Sequence, residues 1–479
     1  MNLVMIVSDT LRWDYLGAYG NDWIQTPSLD ALAAESALFL DAYAEALPTV
    51  PARRALMTGR HCFPFWYRPQ KSDGVELPGW HPLFDEDVTL AEHLVERGYH
   101  TAFFNDVYHL MKPGKNFHRG FEQWFWIRGQ EADAYGMPDA GRVRHLLDRV
   151  LCGREEIAGD EWVIRHLVLR DRWKSDADTV VAQTMRAAAE WVRGYSLDKP
   201  FYLHVEVFDP HEPWDPPAEF ARAYEPNYGD SLQGCFAPGR TDGLTEQEIA
   251  NVRAAYAGEV TLVDKWTGRL LDALRETGRM DDTVVVFTSD HGCMLGERGE
   301  IHKGMDRLRN QCTRLPLLIR HPSGEGAGKR VRGFCQHQDI MPTVLGLLGK
   351  EAPARVTGRD VWSQVRGGGE APDCVVSGFG PYACIRSAKW NLISPWVEPG
   401  EARNHGAHEG TVRRQLYDLE ADGEELTDAA EGHPDVVEEL SKRLEEHIRR
   451  FLPLTDGTIG GKSAKRVELT FHALPGSKD

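Results

Sequence analysis

Apolar positions along this chain follow two rhythms. Short, mostly apolar segments of strand length occur at Leu3–Val7, Thr101–Phe104, Phe201–Val207 and Thr283–Thr288, rich in β-branched and aromatic residues. Between them lie segments whose apolar residues recur every three to four positions, as on one face of a helix: Pro27–Glu35, Val88–Arg97, Ala177–Arg193 and Thr245–Thr277. Thr26 stands where it can cap the first of these, with Pro27 in its opening turn, and Gly98 ends the second. Strands alternating with helices predict βαβ crossovers, hence an α/β fold with a large, mostly parallel sheet covered by helices on both faces.

The rhythm changes after about residue 370. Cys374–Ser377, Ala383–Arg386, Trp390–Ile393 and Gln415–Asp418 are short and turn-bounded, and predict a small antiparallel sheet. Pro434–Arg450 then carries Val436, Val437, Leu440, Leu444 and Ile448 on one helical face. This divides the chain into an α/β domain over 1–370 and an α+β subdomain with tail over 371–479. The tail has a late apolar patch, Val467–Leu474, expected to pack on a surface or on a partner chain in a homo-oligomer.

Size and charge narrow the function. At 479 residues the chain exceeds one small core. Acidic residues number 73 against 55 basic ones, a net charge of -18, which argues against a nucleic-acid partner. No run is long enough to cross a membrane, and the first strand begins without a basic or long apolar leader segment. The eight cysteines are scattered without paired spacing, which suits free thiols in a reducing cytoplasm. Cys62 and Cys293 lie near the polar motifs but read as packing residues.

Candidate chemistry sits where strands end, since open α/β sheets bind ligands at the carboxyl edge. The first strand runs into Ser8-Asp9-Thr10, the Thr283–Thr288 strand into Ser289-Asp290-His291-Gly292, and the Phe201–Val207 strand into Asp209-Pro210-His211-Glu212-Pro213. Two carboxylates and an imidazole at neighbouring strand ends make a cation site. Oxygen ligands suit Mg, Ca or Mn, and the added nitrogen admits Mn or Zn. Either aspartate alone would also fit a helix cap. His204, inside a strand, reads as structural, and Lys303 alone would fit a solvated surface lysine.

The segment Thr49-Val50-Pro51-Ala52-Arg53, followed by Thr58-Gly59-Arg60, resembles the signature of the sulfatase family of the alkaline phosphatase superfamily, C/S-x-P-S/A-R with a T-G-R run. Further matches follow in order: Asp9 with Leu16-Gly17-Ala18-Tyr19-Gly20, Gly98–Ala102, His109-Leu110, Gly120-Phe121, Asp209–Pro213, Asp290-His291-Gly292, Lys303 and Leu416–Leu419. The resemblance implies a hydrolase of small anionic esters. It implies Asp9, Thr10, Asp290 and His291 at the metal and Thr49 as nucleophile. Arg53 would brace the nucleophile and the ester oxyanion. His211 and Lys303 would contact the transferred group's oxygens, with one protonating the leaving group. His109 matches the histidine of the family's G-K-W-H-L segment. A nucleophile at a helix N-terminus sits in positive potential, and cations around the equatorial oxygens stabilise the transition state.

Departures from the family pattern bear on substrate. The motif cysteine or serine of sulfatases becomes formylglycine, whose hydrated aldehyde releases sulfate by elimination. Oxidising Thr49 would give a ketone, so no formylglycine is expected. A sulfated threonine would hydrolyse slowly, whereas a phosphorylated or phosphonylated one is open to in-line water attack. Thr10 stands where many members carry a second aspartate, and Asp290-His291 replaces the common Asp-Asn pair, which favours Mn or Zn over Ca or Mg. Asp106-Val107-Tyr108-His109 lacks the usual lysine, so one positive contact is missing and a singly charged diester fits. The expected substrate is therefore a phosphodiester or phosphonate monoester. A true sulfatase and a non-catalytic anion-binding member are the alternatives. The leaving-group pocket is expected to draw on the Trp- and Arg-rich insertion between Phe121 and Asp176 and on the Trp214 and Trp396 loops.

Overall fold

The computed structural model describes residues 1–65, 77–130, 133, 140–151, 161–234, 237–397, 413–455, 457–459 and 462–463. The apolar tail patch at Val467–Leu474 and much of the insertion lie outside the described residues.

An eight-stranded sheet forms the centre. Its order runs Arg330–Val331, Ala37–Phe39, Leu317–Arg320, Thr283–Ser289, Asn2–Ser8, Phe201–Val207, His100–Asn105 and Gln123–Trp126. All pairings are parallel except those of Leu317–Arg320, which runs against both neighbours. The central strands are buried along their whole length. This explains why Asn2–Ser8 and Thr283–Ser289 read as near-continuous apolar runs, whereas Phe201–Val207 carries His204 and Glu206 at alternate positions. Along Asn2–Ser8, Val4 and Ile6 enter one core while Leu3, Met5 and Val7 enter the other.

The first core is closed by Pro27–Ala34, Val180–Gly194 and Glu246–Glu276, the second by Thr49–Thr58, Leu90–Val95 and His337–Leu347. Glu246–Glu276 starts in a capping box, with the Thr245 hydroxyl accepting the Glu248 N–H and the Glu248 carboxylate accepting the Thr245 N–H. Leu90–Val95 is shorter than its apolar rhythm predicts because Thr89 and Glu92 form the same box and fix its start. Thr26 stands at the N-cap of the helix that follows it, but its side chain makes no capping hydrogen bond. Asp264 on the long helix instead accepts the Ser28 and Leu29 N–H groups, at 3.1 and 2.7 Å.

The small sheet takes Gln415–Asp418, Trp390–Pro395, Tyr382–Ser387 and Cys374–Phe379 in antiparallel order. Its fifth strand comes from far upstream: Ala46–Leu47 pairs in parallel with Gly378 and Phe379. Pro434–Phe451 covers the sheet with Leu440, Leu444 and Ile448, each burial worth about 1.5–3 kcal/mol. The helix Thr49–Thr58 is thereby held between the large and small sheets, and all ten of its residues are buried.

Candidate active site at the strand ends

Asp9 continues the first strand's ladder, its N–H donating to the Val207 carbonyl at 2.9 Å, so its carboxylate emerges at the sheet's carboxyl edge. Asp290 emerges beside it from the neighbouring strand. Neither aspartate caps a helix, since Asp9 leads into a 3-10 turn at Trp13–Tyr15 and Asp290 into the ladder of Met294–Leu295 with Ile301–His302. Asp290 Oδ1 accepts the N–H groups of Thr10 (2.9 Å) and His291 (2.8 Å). Gly292 must be glycine because a Cβ there would lie 2.1 Å from the Gln311 carbonyl oxygen.

Asp9, Asp290 and His291 offer ligand atoms that all lie within 4.8 Å of one another. Their chemistry fits a divalent cation. His291 is fully buried, and its Nδ1 reaches the Gly292 carbonyl at 2.9 Å, which places the proton there and turns the Nε2 lone pair toward the carboxylates. That Nε2 and Asp9 Oδ2 are buried without a hydrogen-bond partner. Burial holds the His291 pKa below its ordinary value, so the ring is neutral and able to bind a metal. Thr10 takes a left-handed φ of 60° and its hydroxyl donates to Asp9 Oδ1 at 2.8 Å. It orients one of the trio while keeping its own oxygen lone pairs.

Arg53, one turn after Thr49 and fully buried, ties the helix to this cluster. Its Nη1 contacts Asp290 Oδ2, lies 3.0 Å from Asp9 Oδ2 and reaches the Thr49 carbonyl at 3.5 Å. Nε and Nη2 both donate to Glu206 Oε2, at 3.1 and 3.0 Å. Burial disfavours the guanidinium's charge, but Asp290, Glu206 and Asp9 more than offset this and raise its pKa. Burial likewise works against an ionised Asp9, yet Arg53, His211, His291 and Lys303 hold its carboxyl below the usual value.

His211 and Lys303 also meet. Lys303 Nζ donates to His211 Nε2 at 2.7 Å and to Glu212 Oε1 at 2.6 Å. The lysine is not solvated: its side chain is 14% exposed. Burial opposes its charge, and Glu212, Asp9 and Asp290 reverse that and raise its pKa. Burial opposes ionisation of Glu212 in turn, but His211, Lys303 and His302 hold it well below the carboxylate range. His109 lies on the one-turn helix Tyr108–Met111 that packs on the Thr49 helix, with its ring edge-on to Trp80.

The T-G-R run that follows Thr49–Arg53 is an anchor. Gly59 ends the helix in the left-handed region, and a Cβ there would crowd Val356 at 3.1 Å. Arg54 and Arg60 both pair with buried Asp87. The cysteines near the motifs are buried, and burial pushes the Cys62 thiol up to about 12 and Cys293 well up, which makes both inert. Trp214 and Trp396 are buried, packed on Tyr256 and His302 and on Phe63 and Phe65 respectively.

Sequence reasoning did not single out Glu206 or Glu212. Glu206 is the last polar member of a run, Tyr202, His204, Glu206, that alternates along a strand buried on both faces. A buried carboxylate at such a position requires a cation partner, and that signal was available.

Comparison with known proteins supplies a family. The sulfatase family model matches residues 1–350. An arylsulfatase of Clostridium perfringens is 26% identical over 388 residues, covering 74% of this chain and 76% of its own. A choline-sulfatase of Rhizobium meliloti is 26% identical over 465 residues, covering 90% and 82%. Among solved structures, the phosphonate monoester hydrolase of Agrobacterium radiobacter superposes with a TM-score of 0.68 at 22% identity, covering 94% of this chain and 95% of that one.

Proposed function

This chain belongs to the sulfatase family of ester-hydrolysing enzymes, and from that premise we propose a divalent-metal-dependent hydrolase of phosphodiesters or phosphonate monoesters with unmodified Thr49 as nucleophile. The observation that carries the reading is Arg53, which joins the helix opened by Thr49 to the buried Asp9–Asp290–His291 trio.

Asp9, Asp290 and His291 would hold the metal, with Thr10 fixing Asp9 or adding its own oxygen. Two carboxylates and one neutral imidazole favour Mn or Zn, with Ca or Mg less well matched. When bound, the cation would acidify the nucleophile's hydroxyl and draw charge from the transferred group. The protein's own groups do the rest. Thr49 opens its helix, where the backbone dipoles favour an oxyanion. Its oxygen attacks phosphorus in line, forming a covalent threonine ester and expelling the alcohol. The leaving oxygen takes a proton from the Lys303–His211 pair. Glu212 fixes that pair, and by offsetting one positive charge it suits a substrate with one negative charge. Water then attacks phosphorus, returning a proton to the Lys303–His211 pair, and the bond from phosphorus to the Thr49 oxygen breaks, with Arg53 and Lys303 stabilising the equatorial oxygens. His109 completes the anion-facing wall beside the helix.

Sulfate esters are the second reading, favoured by the arylsulfatase and choline-sulfatase relatives. The substrate class rests on threonine chemistry, since an unmodified threonine has no second hydroxyl on its oxygen-bearing carbon and cannot release sulfate by the family's elimination route. The free thiols of the described cysteines fit the cytoplasm. Among the described residues no helix is long and apolar enough to cross a membrane.

Turnover of bis-p-nitrophenyl phosphate, a phenylphosphonate ester and p-nitrophenyl sulfate, each with Mn, Zn and Ca, tests the reading. The phosphoryl and phosphonyl esters should turn over fastest with Mn or Zn, and Thr49→Ala should abolish it. Sulfate-only turnover would overturn the substrate class, and no turnover of any ester would overturn the enzyme.

A further inference from the structure

Tyr202, His204 and Glu206 alternate along one strand and so share one face, pointing in sequence order toward Arg53. All three are buried, at 1%, 0% and 0% exposure. The Tyr202 hydroxyl lies 2.6 Å from His204 Nδ1, and His204 Nε2 lies 2.8 Å from Glu206 Oε1. Burial raises the tyrosine pKa far above its ordinary value, so its O–H is retained and donates. That leaves the imidazole proton on Nε2, donating to Glu206. Phe103 and Phe121 pack edge-on against the imidazole.

We propose that Glu206 is a positioning residue for Arg53, steered by the Tyr202–His204 relay, and that it lets Arg53 and a divalent cation share the Asp9–Asp290 pair. This rests on the metal-dependent reading above. Glu206 Oε2 occupies Nε and Nη2, the whole outer edge of the guanidinium fork, which leaves Nη1 alone to face the metal carboxylates. Released from Glu206, the planar fork would turn and engage Asp9 and Asp290 with two N–H groups, the geometry a carboxylate pair favours. It would then fill the cation's place. Charge acts in the same direction. Asp9, Asp290 and Glu206 together carry three negative charges, which match one guanidinium and one divalent cation. Removing one leaves the two cations in excess.

Calorimetric titration of the chelator-treated full chain with Mn and with Zn tests this without recourse to turnover. Glu206→Gln should weaken cation binding at least about tenfold, in the range known for groups that orient metal ligands. Glu206→Asp keeps the charge on a shorter arm. It should restore cation affinity to within about threefold of the parent while kcat at saturating metal stays lowered and KM is unchanged. Tyr202→Phe deletes only the first hydroxyl, so it folds more readily than a charge deletion. It should lower kcat about fivefold at unchanged KM. Parent-like cation affinity in Glu206→Gln overturns the sharing, and parent-like kcat in Tyr202→Phe overturns the relay. A parent chain that binds neither cation overturns the metal reading and this inference together.

Discussion

Replacing Arg53 with methionine probes the charge balance of the site. Arg53 is 0% exposed and contacts three carboxylates whose side chains are 0–1% exposed: Asp9, Glu206 and Asp290. Two unit charges about 4 Å apart interact by about 4 kcal/mol at an effective dielectric constant of 20. Removing one partner from a buried charge cluster costs about 3–5 kcal/mol. With chelator present, Arg53→Met should therefore lose about that much stability, a large share of the roughly 5–15 kcal/mol typical of folded proteins. A divalent cation should then narrow the gap. It stabilises the folded chain by about 4 kcal/mol at a thousand times its Kd, and the variant binds it more tightly because the competing guanidinium is gone. Urea denaturation at pH 8, in EDTA and in excess Mn, measures both effects, since at that pH proton uptake by the carboxylates softens the cost least. A chelated gap below about 1 kcal/mol, or one that Mn leaves unchanged, would refute the reasoning.

Asp87→Ala leaves Arg54 and Arg60 without their shared carboxylate, so the helix opened by Thr49 should lose about 3–5 kcal/mol of anchoring, read as a lower urea midpoint. Gly292→Ala should abolish cation binding in a calorimetric titration, because the new Cβ must displace the Gln311 carbonyl and shift His291 with it. His447 packs on Phe451 and its pKa is pushed down to about 3, first by burial and then by Arg450. Its depressed value means the stability it contributes is present above about pH 6.5 and is lost as pH falls from there through about 3. His447→Phe keeps the ring packing and should flatten that acid limb in denaturation curves, while parent-like acid sensitivity would rule the residue out as its source.

Much of this site was visible before folding because its residues sit where apolar runs stop. Asp9, Asp290 and His291 follow central strands directly, and the parallel order of those strands is what gathers them. His211 and Lys303, both singled out from the sequence, lie 2.7 Å apart. What escaped notice depends on contacts distant in the chain. Glu206 looks like one more strand position until Arg53, 153 residues away, is laid against it. Ala46–Leu47 is too short to show a rhythm, and only its pairing with Gly378 and Phe379 makes it a strand. Leu317–Arg320 carries the same apolar signal whichever way it runs, so its antiparallel direction was not legible. Thr26 holds the N-cap position but its side chain does not cap, because Asp264, on a helix more than 200 residues later, takes the amides instead.

The nucleophile is the claim on which substrate class turns. Its most direct test is the mass of the peptide carrying Thr49, taken from the resting enzyme and from enzyme quenched in acid during turnover of a phenylphosphonate ester. The account predicts an unmodified threonine at rest and a phosphonyl adduct on that residue after quenching. A modified residue 49 at rest, or an adduct that forms on another side chain, would contradict it.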